Sequence, residues 1–428
     1  MPTTAARFVS NLTRNTLALV LAGGRGSRLG ALTDWRTKPA VPFGGKYRII
    51  DFTLSNCINS RVRRIAVLTQ YKSHSLIQHI QQGWNFLSAE HGEFVDVIPA
   101  QQWTNEESWY RGTADAVLQS LDIIESYTPE YVLILSGDHI YNMDYGEMLA
   151  AHAKAGARFT IACNTASLKE AREFGVMSVD ESGRITGFEE KPDSPQAMPG
   201  NPDQALVSMG IYVFSMDYLR ETLRAGAEQG RAAHDFGKNI IPHALEAGDF
   251  IQSYEFANPA DRGLKNYWRD VGTLDAYYQA NLELIISNPP LDIYDTSWPV
   301  YTYQAQLPPA HFVGCASSCH VENTMVSGGC VIQKSSLDTS VLFSNVKVHE
   351  NCSLAGVLAL PGCEIGAGAR LRNVILDNRC IVPPGTVIGE NAEEDAKRYH
   401  ITEGGIAVVN RKVLGQESRY MPSVHSSD

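Results

Sequence analysis

Gly23, Gly24 and Gly26 stand beside Arg25, Arg28 and Lys38, directly after the apolar run Leu17–Ala22. Lacking a Cβ, glycines adopt positive φ at little cost, so several backbone N–H groups can turn toward one anion. The three cations add fixed charge beside those donors, which suits a triphosphate and its departing pyrophosphate. The apolar run that feeds the loop reads as a parallel strand covered on both faces, and such strands present ligands at their carboxyl ends. Two common nucleotide fingerprints are excluded. G-x-G-x-x-G needs glycine where Leu29 stands, and no Gly-Lys-Ser/Thr triplet follows.

What the spacing does match is Gly-Gly-x-Gly-Ser-Arg-Leu, ending at Leu29, followed by Lys38-Pro39; on these residues the chain resembles the sugar-nucleotide pyrophosphorylases. The longer run from Lys38 to Ser60 narrows the resemblance to the bacterial ADP-glucose pyrophosphorylases, and it extends from about Leu17 to about Leu414. The resemblance implies an α/β chain: a Rossmann-like doubly wound nucleotidyltransferase domain, then a C-terminal left-handed parallel β-helix. It also implies the activity, a Mg2+-dependent and allosterically regulated synthesis of ADP-glucose and pyrophosphate from ATP and α-D-glucose 1-phosphate that commits glucose to glycogen. Homotetramers and phosphorylated-metabolite effectors are implied as partners.

Attack of a sugar phosphate on the α-phosphorus of a nucleoside triphosphate needs charge neutralisation and positioning more than covalent help. Asp138, in Ser136-Gly137-Asp138 after the run Tyr131–Leu135, is expected to project from a strand end into the cleft, where a carboxylate can hold Mg2+. Asp270, followed by Gly272, is a second candidate, and the resemblance implies that these two aspartates act together on the metal while Arg28 and Lys38 serve catalysis. For glucose 1-phosphate it implies Tyr110, Gly175, Glu190, Lys191 and Ser208. Their chemistry agrees: lysine is a compact cation for a phosphate, glutamate accepts from hydroxyls, and tyrosine lines a sugar pocket. Gln70 and Gln101 are candidates for reading the adenine edge, alongside the glycine loop. Any one of these residues alone would pass for a helix cap, a packing residue or an exposed charge. Their joint presence carries the reading.

Elements that could position them alternate from Leu17 to about Ser287, as apolar strand runs and amphipathic stretches. Candidate strands are Ile65–Thr69, Tyr131–Leu135, Phe159–Cys163 and Met209–Phe214; Val176–Val179 and Ile185–Phe188 read as a hairpin. Thr113 is expected to cap a helix whose face carries Val117, Leu121 and Ile124. Residues 1–16 read as a tail, 17–287 as the nucleotidyltransferase domain, 288–315 as a proline-rich linker and 316–428 as the β-helix. In that last stretch a 17-residue register stacks Val331, Val348, Ile365 and Val382, then Leu337, Leu354, Leu371 and Ile388, then Val341, Leu358 and Ile375.

With 428 residues, 44% of them hydrophobic, the chain has material for two or three domains. A net charge of −11 without a basic stripe argues against a nucleic-acid partner, so phosphorylated ligands must be held by local cations. No run approaches the roughly 18 apolar residues of a membrane span, so a cytoplasmic protein is expected. The eight cysteines are mostly isolated and read as reduced thiols. Arg36, Arg48 and Arg411, the last followed by Lys412, form local basic groups suited to phosphorylated effectors. Gln70 and Trp109 lie in loops that the resemblance connects with relay between effector and substrate sites. Trp35 and Asn378 replace a lysine and an arginine found in some relatives, so effector identity does not transfer.

Overall fold

The computed structural model describes residues 4–24, 26–100, 109–228, 234–259, 266–314 and 319–416. The first part is built on strands β1 (Thr16–Leu21), β2 (Arg64–Thr69), β3 (Phe94–Pro99) and β4 (Tyr131–Ser136). A short strand β5 (His139–Tyr141) follows, then β6 (Phe159–Ser167), β7 (Gly175–Val179), β8 (Ile185–Glu190), β9 (Gln204–Ser215), β10 (Ile251–Glu255) and β11 (Trp268–Asp270). Across the main sheet the order is β8-β7-β9-β4-β1-β2-β3, with β6 on β9 and β10 on β6.

β1 lies between β2 and β4 and runs parallel to both. Leu17 and Leu19 enter one core while Ala18 and Val20 enter the other, so the strand is apolar throughout because both faces are covered. Passing to β2 on one side and β4 on the other, the chain leaves a crevice at the carboxyl ends of β1 and β4, where open α/β sheets bind ligands. β9 pairs antiparallel with β4 and with β7, so the sheet is mixed. The expected hairpin is present as β7 and β8. β9 is longer than the apolar run suggested and contains a bulge between Ser208 and Tyr212, with Gly210 at φ 68.

Helices cover the sheet. Residues expected as a tail form α1 (Thr4–Arg14), α2 is Ile49–Asn59, α3 is Thr113–Gln119, α4 is Tyr145–Ala155 and α5 is Leu274–Leu282. α1 packs against α4. Thr113 does not cap α3. Gly112 occupies that position, and the Thr113 hydroxyl instead donates to Asp235 Oδ2 at 3.1 Å.

The C-terminal part, from His311 to Val409, is a parallel β-helix. Leu337, Leu354, Leu371 and Ile388 stack in register, as do Val341, Leu358 and Ile375. One expected column is shifted: Ile332, not Val331, pairs with Val348, ahead of Ile365 and Val382, because that coil is one residue shorter. Ile332 is fully buried.

The two parts share an apolar core. Phe43, Phe52 and Tyr277 pack with Val341, Phe343 and Leu358, and Tyr278 donates to the Gly356 carbonyl at 2.7 Å. Residues 298–302 lie as a strap across α2. Trp298 Nε1 donates to Asn56 Oδ1 at 2.8 Å, the Tyr301 N–H to Ser55 Oγ at 2.8 Å and Thr302 Oγ1 to Asp51 Oδ2 at 2.7 Å. Among the described residues six cysteines are free and buried and Cys319 is disulfide-bonded, contrary to the expected reduced state. Among the described residues no helix is long and apolar enough to cross a membrane.

Candidate active site

A cleft of about 1060 Å3 opens over the crevice. Gly23, Gly24, Gly26, Arg28 and Lys38 line it, as do Gln70, Trp109 and Tyr110. Asp138, Asp270, Gly175, Glu190 and Ser208 also line it. Gln101 and Arg25 lie outside the described residues. Lys191 is exposed and is not among the lining residues: β8 ends at Glu190, and Lys191 turns away with φ 50 while its N–H donates to the Phe174 carbonyl.

Two strands bring the distant aspartates together. β11 pairs antiparallel with β5 so that Asp270 faces His139, one residue after Asp138. Ligand atoms of Asp138, His139 and Asp270 all lie within 4.8 Å of one another. Lys38 Nζ is 2.5 Å from Asp270 Oδ1 and 2.9 Å from Asp138 Oδ2, and Arg28 Nη2 is 3.6 Å from Asp270 Oδ2. Gly26 has φ 63, and a Cβ there would fall 2.9 Å from Lys38 Cβ, so glycine is what lets the loop close over the lysine.

Burial tends to raise the Asp138 pKa, but Lys38, His139 and the Ser136 hydroxyl outweigh it and hold the carboxyl well below the usual range. Lys38 is the converse: burial lowers its pKa, the two aspartates raise it, and the net shift is upward. His139 is pushed down chiefly by burial, against the pull of Asp138 and Asp270. A negative pair with hard oxygen donors fits a divalent cation that bridges phosphates.

Other residues lining the cleft suit hydroxyls. A Cβ on Gly175 would meet Phe188 Cζ at 2.4 Å and Glu190 Oε2 at 3.0 Å, so backbone and carboxylate approach closely there. Burial, and after it Asp235, raises the Glu190 pKa, against Lys191 and Lys238. Ser208 Oγ accepts from the Gly210 N–H at the bulge of β9. Gln70 Nε2 donates to the Tyr110 carbonyl at 3.3 Å, joining two lining loops.

Asp235, Phe236, His139 and Trp268 line the cleft too, and the sequence reading missed them. His139 and Trp268 were legible in principle, since each adjoins a motif already singled out. Asp235 follows no strand and belongs to no recognised pattern.

The basic groups lie elsewhere. Arg36, Arg379, Arg411 and Lys412 line, with Trp35, a second cavity of about 250 Å3 between the two parts. Arg48 is beside it, donating from Nη1 to the Ser75 carbonyl at 2.8 Å, with its pKa lowered to about 10 mainly by burial.

Fold and site are those of a nucleotidyl transferase: the family model so described matches residues 17–286, and one described as GlmU-like, C-terminal hexapeptide matches 308–409. The chain is 55% identical over 419 residues to a glucose-1-phosphate adenylyltransferase of Nitrosococcus oceani, covering 97% of this chain and 99% of that one. It is 55% identical over 413 residues to glucose-1-phosphate adenylyltransferase 1 of Alkalilimnicola ehrlichii, covering 96% and 97%. With the enzyme of that name from Nitrosospira multiformis it shares 51% over 419 residues, covering 97% and 98%. The chain belongs to the glucose-1-phosphate adenylyltransferase family.

Proposed function

We propose that this chain transfers the adenylyl group of ATP to α-D-glucose 1-phosphate, giving ADP-glucose and pyrophosphate, the first committed step of glycogen synthesis. The observation that carries the reading is the convergence of Asp138, Asp270 and Lys38 in a cleft that Glu190, Ser208 and Asp235 also line. A phosphate oxygen of the sugar attacks the α-phosphorus, that P–O bond forms, and the bond to the β-phosphate oxygen breaks with pyrophosphate leaving. No general base is required, because the attacking phosphate is already ionised near neutral pH.

The glycine-loop N–H groups and Arg28 hold the triphosphate, and Lys38 stabilises charge on it as the bond breaks. Mg2+, bound by Asp138 and Asp270, would neutralise phosphate charge. Glu190 and Asp235 accept from sugar hydroxyls, Gly175 and Tyr110 bound the ring, and Lys191 attracts the sugar phosphate. Gln70 reads the base. Pyrophosphate release with glucose 1-phosphate and each of ATP, dTTP, UTP and GTP tests this; a strong preference for a nucleotide other than ATP would overturn it.

The cavity of Arg36, Arg379, Arg411 and Lys412 is proposed to take the phosphorylated effector, with the 70 and 109 loops as the relay. A thermal-shift panel of fructose phosphates, pyruvate, AMP and orthophosphate would identify it. A cytoplasmic homotetramer completes the proposal, checked by light scattering of the purified chain.

A further inference from the structure

We propose that Lys38 holds the place of the divalent cation in the nucleotide-free enzyme, so that metal enters only together with nucleotide. The inference rests on the adenylyltransferase reading of the site. The Lys38 side chain is 6% exposed, and its ammonium sits between the two carboxylates at 2.5 and 2.9 Å. A magnesium ion, with oxygen contacts of about 2.0–2.1 Å, needs the same lone pairs.

Charge points the same way. The buried Lys38 ammonium contacts both Asp138 and Asp270, and Arg28, 3.6 Å from Asp270, is shared with Glu173 at 3.9 Å. A lone divalent cation therefore meets carboxylates that already hold a buried ammonium, which it must evict to reach its ligands. Lys38 begins a short helical turn, Lys38–Ala40, whose residues are all buried, and Gly26 closes over its root. Only the outer torsions of the side chain are free to swing. A triphosphate changes the balance: its anionic oxygens accept the ammonium, and the carboxylates are released to the metal in the same exchange. Lys38 thus makes metal uptake conditional on the nucleotide and keeps the carboxylates compensated between turnovers.

Titration of the full-length protein with Mn2+, followed by the electron-spin resonance of the free ion, tests this without reference to catalysis. Nucleotide-free wild type should take up Mn2+ weakly, and a non-hydrolysable ATP analogue should tighten uptake beyond the binding of Mn2+ to the analogue alone, read from a protein-free sample. Lys38→Met should tighten nucleotide-free uptake by roughly tenfold or more, since a like charge within about 4 Å is removed. Adding Asp138→Asn to that variant should abolish the gain. Lys38→Met binding no tighter than wild type overturns the proposal. Should Lys38→Met fail to fold by circular dichroism, the wild type decides: uptake of one equivalent as readily without the analogue as with it overturns the proposal, and weak uptake without it supports it. Absence of uptake even with the analogue would overturn the functional reading as well, which separates the two failures.

Discussion

Arg36 Nη2 lies 2.9 Å from Asp377 Oδ1, joining the sheet domain to the β-helix through side chains that are 10% and 8% exposed. The pair sits on the rim of the second cavity, and Arg36 also donates to Asn378 Oδ1 at 3.2 Å. Removing one member of a buried ion pair strands the other charge, at a cost of about 3–5 kcal/mol, whereas replacing both by apolar side chains is often near neutral. Asp377→Ala should therefore lower stability by about 3 kcal/mol in urea unfolding. Arg36→Met combined with Asp377→Leu should recover most of that loss. A single variant within about 0.5 kcal/mol of wild type would mean that water compensates the guanidinium.

Asp138→Asn keeps the shape of the side chain and removes its charge. The rate of pyrophosphate release should fall by about 100-fold or more, while affinity for glucose 1-phosphate, measured by calorimetry, stays close to wild type. Loss of sugar-phosphate binding in step with rate would assign Asp138 to the wrong ligand.

Lys191 is exposed and is not among the residues lining the cleft, so the role proposed for it is attraction of the sugar phosphate rather than chemistry. Lys191→Ala should raise KM for glucose 1-phosphate by about tenfold or more with kcat changing little, because the binding removed is common to ground and transition states. A KM effect confined to ATP would relocate the residue's role.

Glu190 supplies the pH dependence. Its pKa is raised by burial and then by Asp235, so on acidification it loses its charge at a higher pH than an ordinary glutamate, and affinity for sugar hydroxyls falls. Lys238 opposes that rise and is exposed. Lys238→Gln should therefore move the acid limb of kcat/KM for glucose 1-phosphate to higher pH and leave the alkaline limb in place. Movement to lower pH would contradict the charge arrangement described around Glu190.

The glycine loop was legible because its function depends on backbone, and glycine spacing is a backbone signal. The β-helix columns were legible for the same reason: Leu337, Leu354 and Leu371 repeat at the coil length. Ile332 was missed because a shortened coil breaks that arithmetic without altering composition. Asp138 and Asp270 could be singled out one by one, but the β5–β11 pairing that joins them is a long-range contact between short strands with no periodicity of their own. Thr113 has the chemistry of a cap and spends it on Asp235, a tertiary preference that local sequence does not encode.

The strap over α2 bears on how the molecule can be divided. Ending the polypeptide at residue 287 would leave Asp51, fully enclosed, without Thr302, and would take Trp298 from Asn56, whose amide also holds the Tyr141 carbonyl at 3.0 Å in the ribbon that carries the aspartates. The catalytic part is consequently not a portable module. A rearranged or shortened version of this enzyme would have to bring residues 298–302 along, even though they contribute no atom to the cleft.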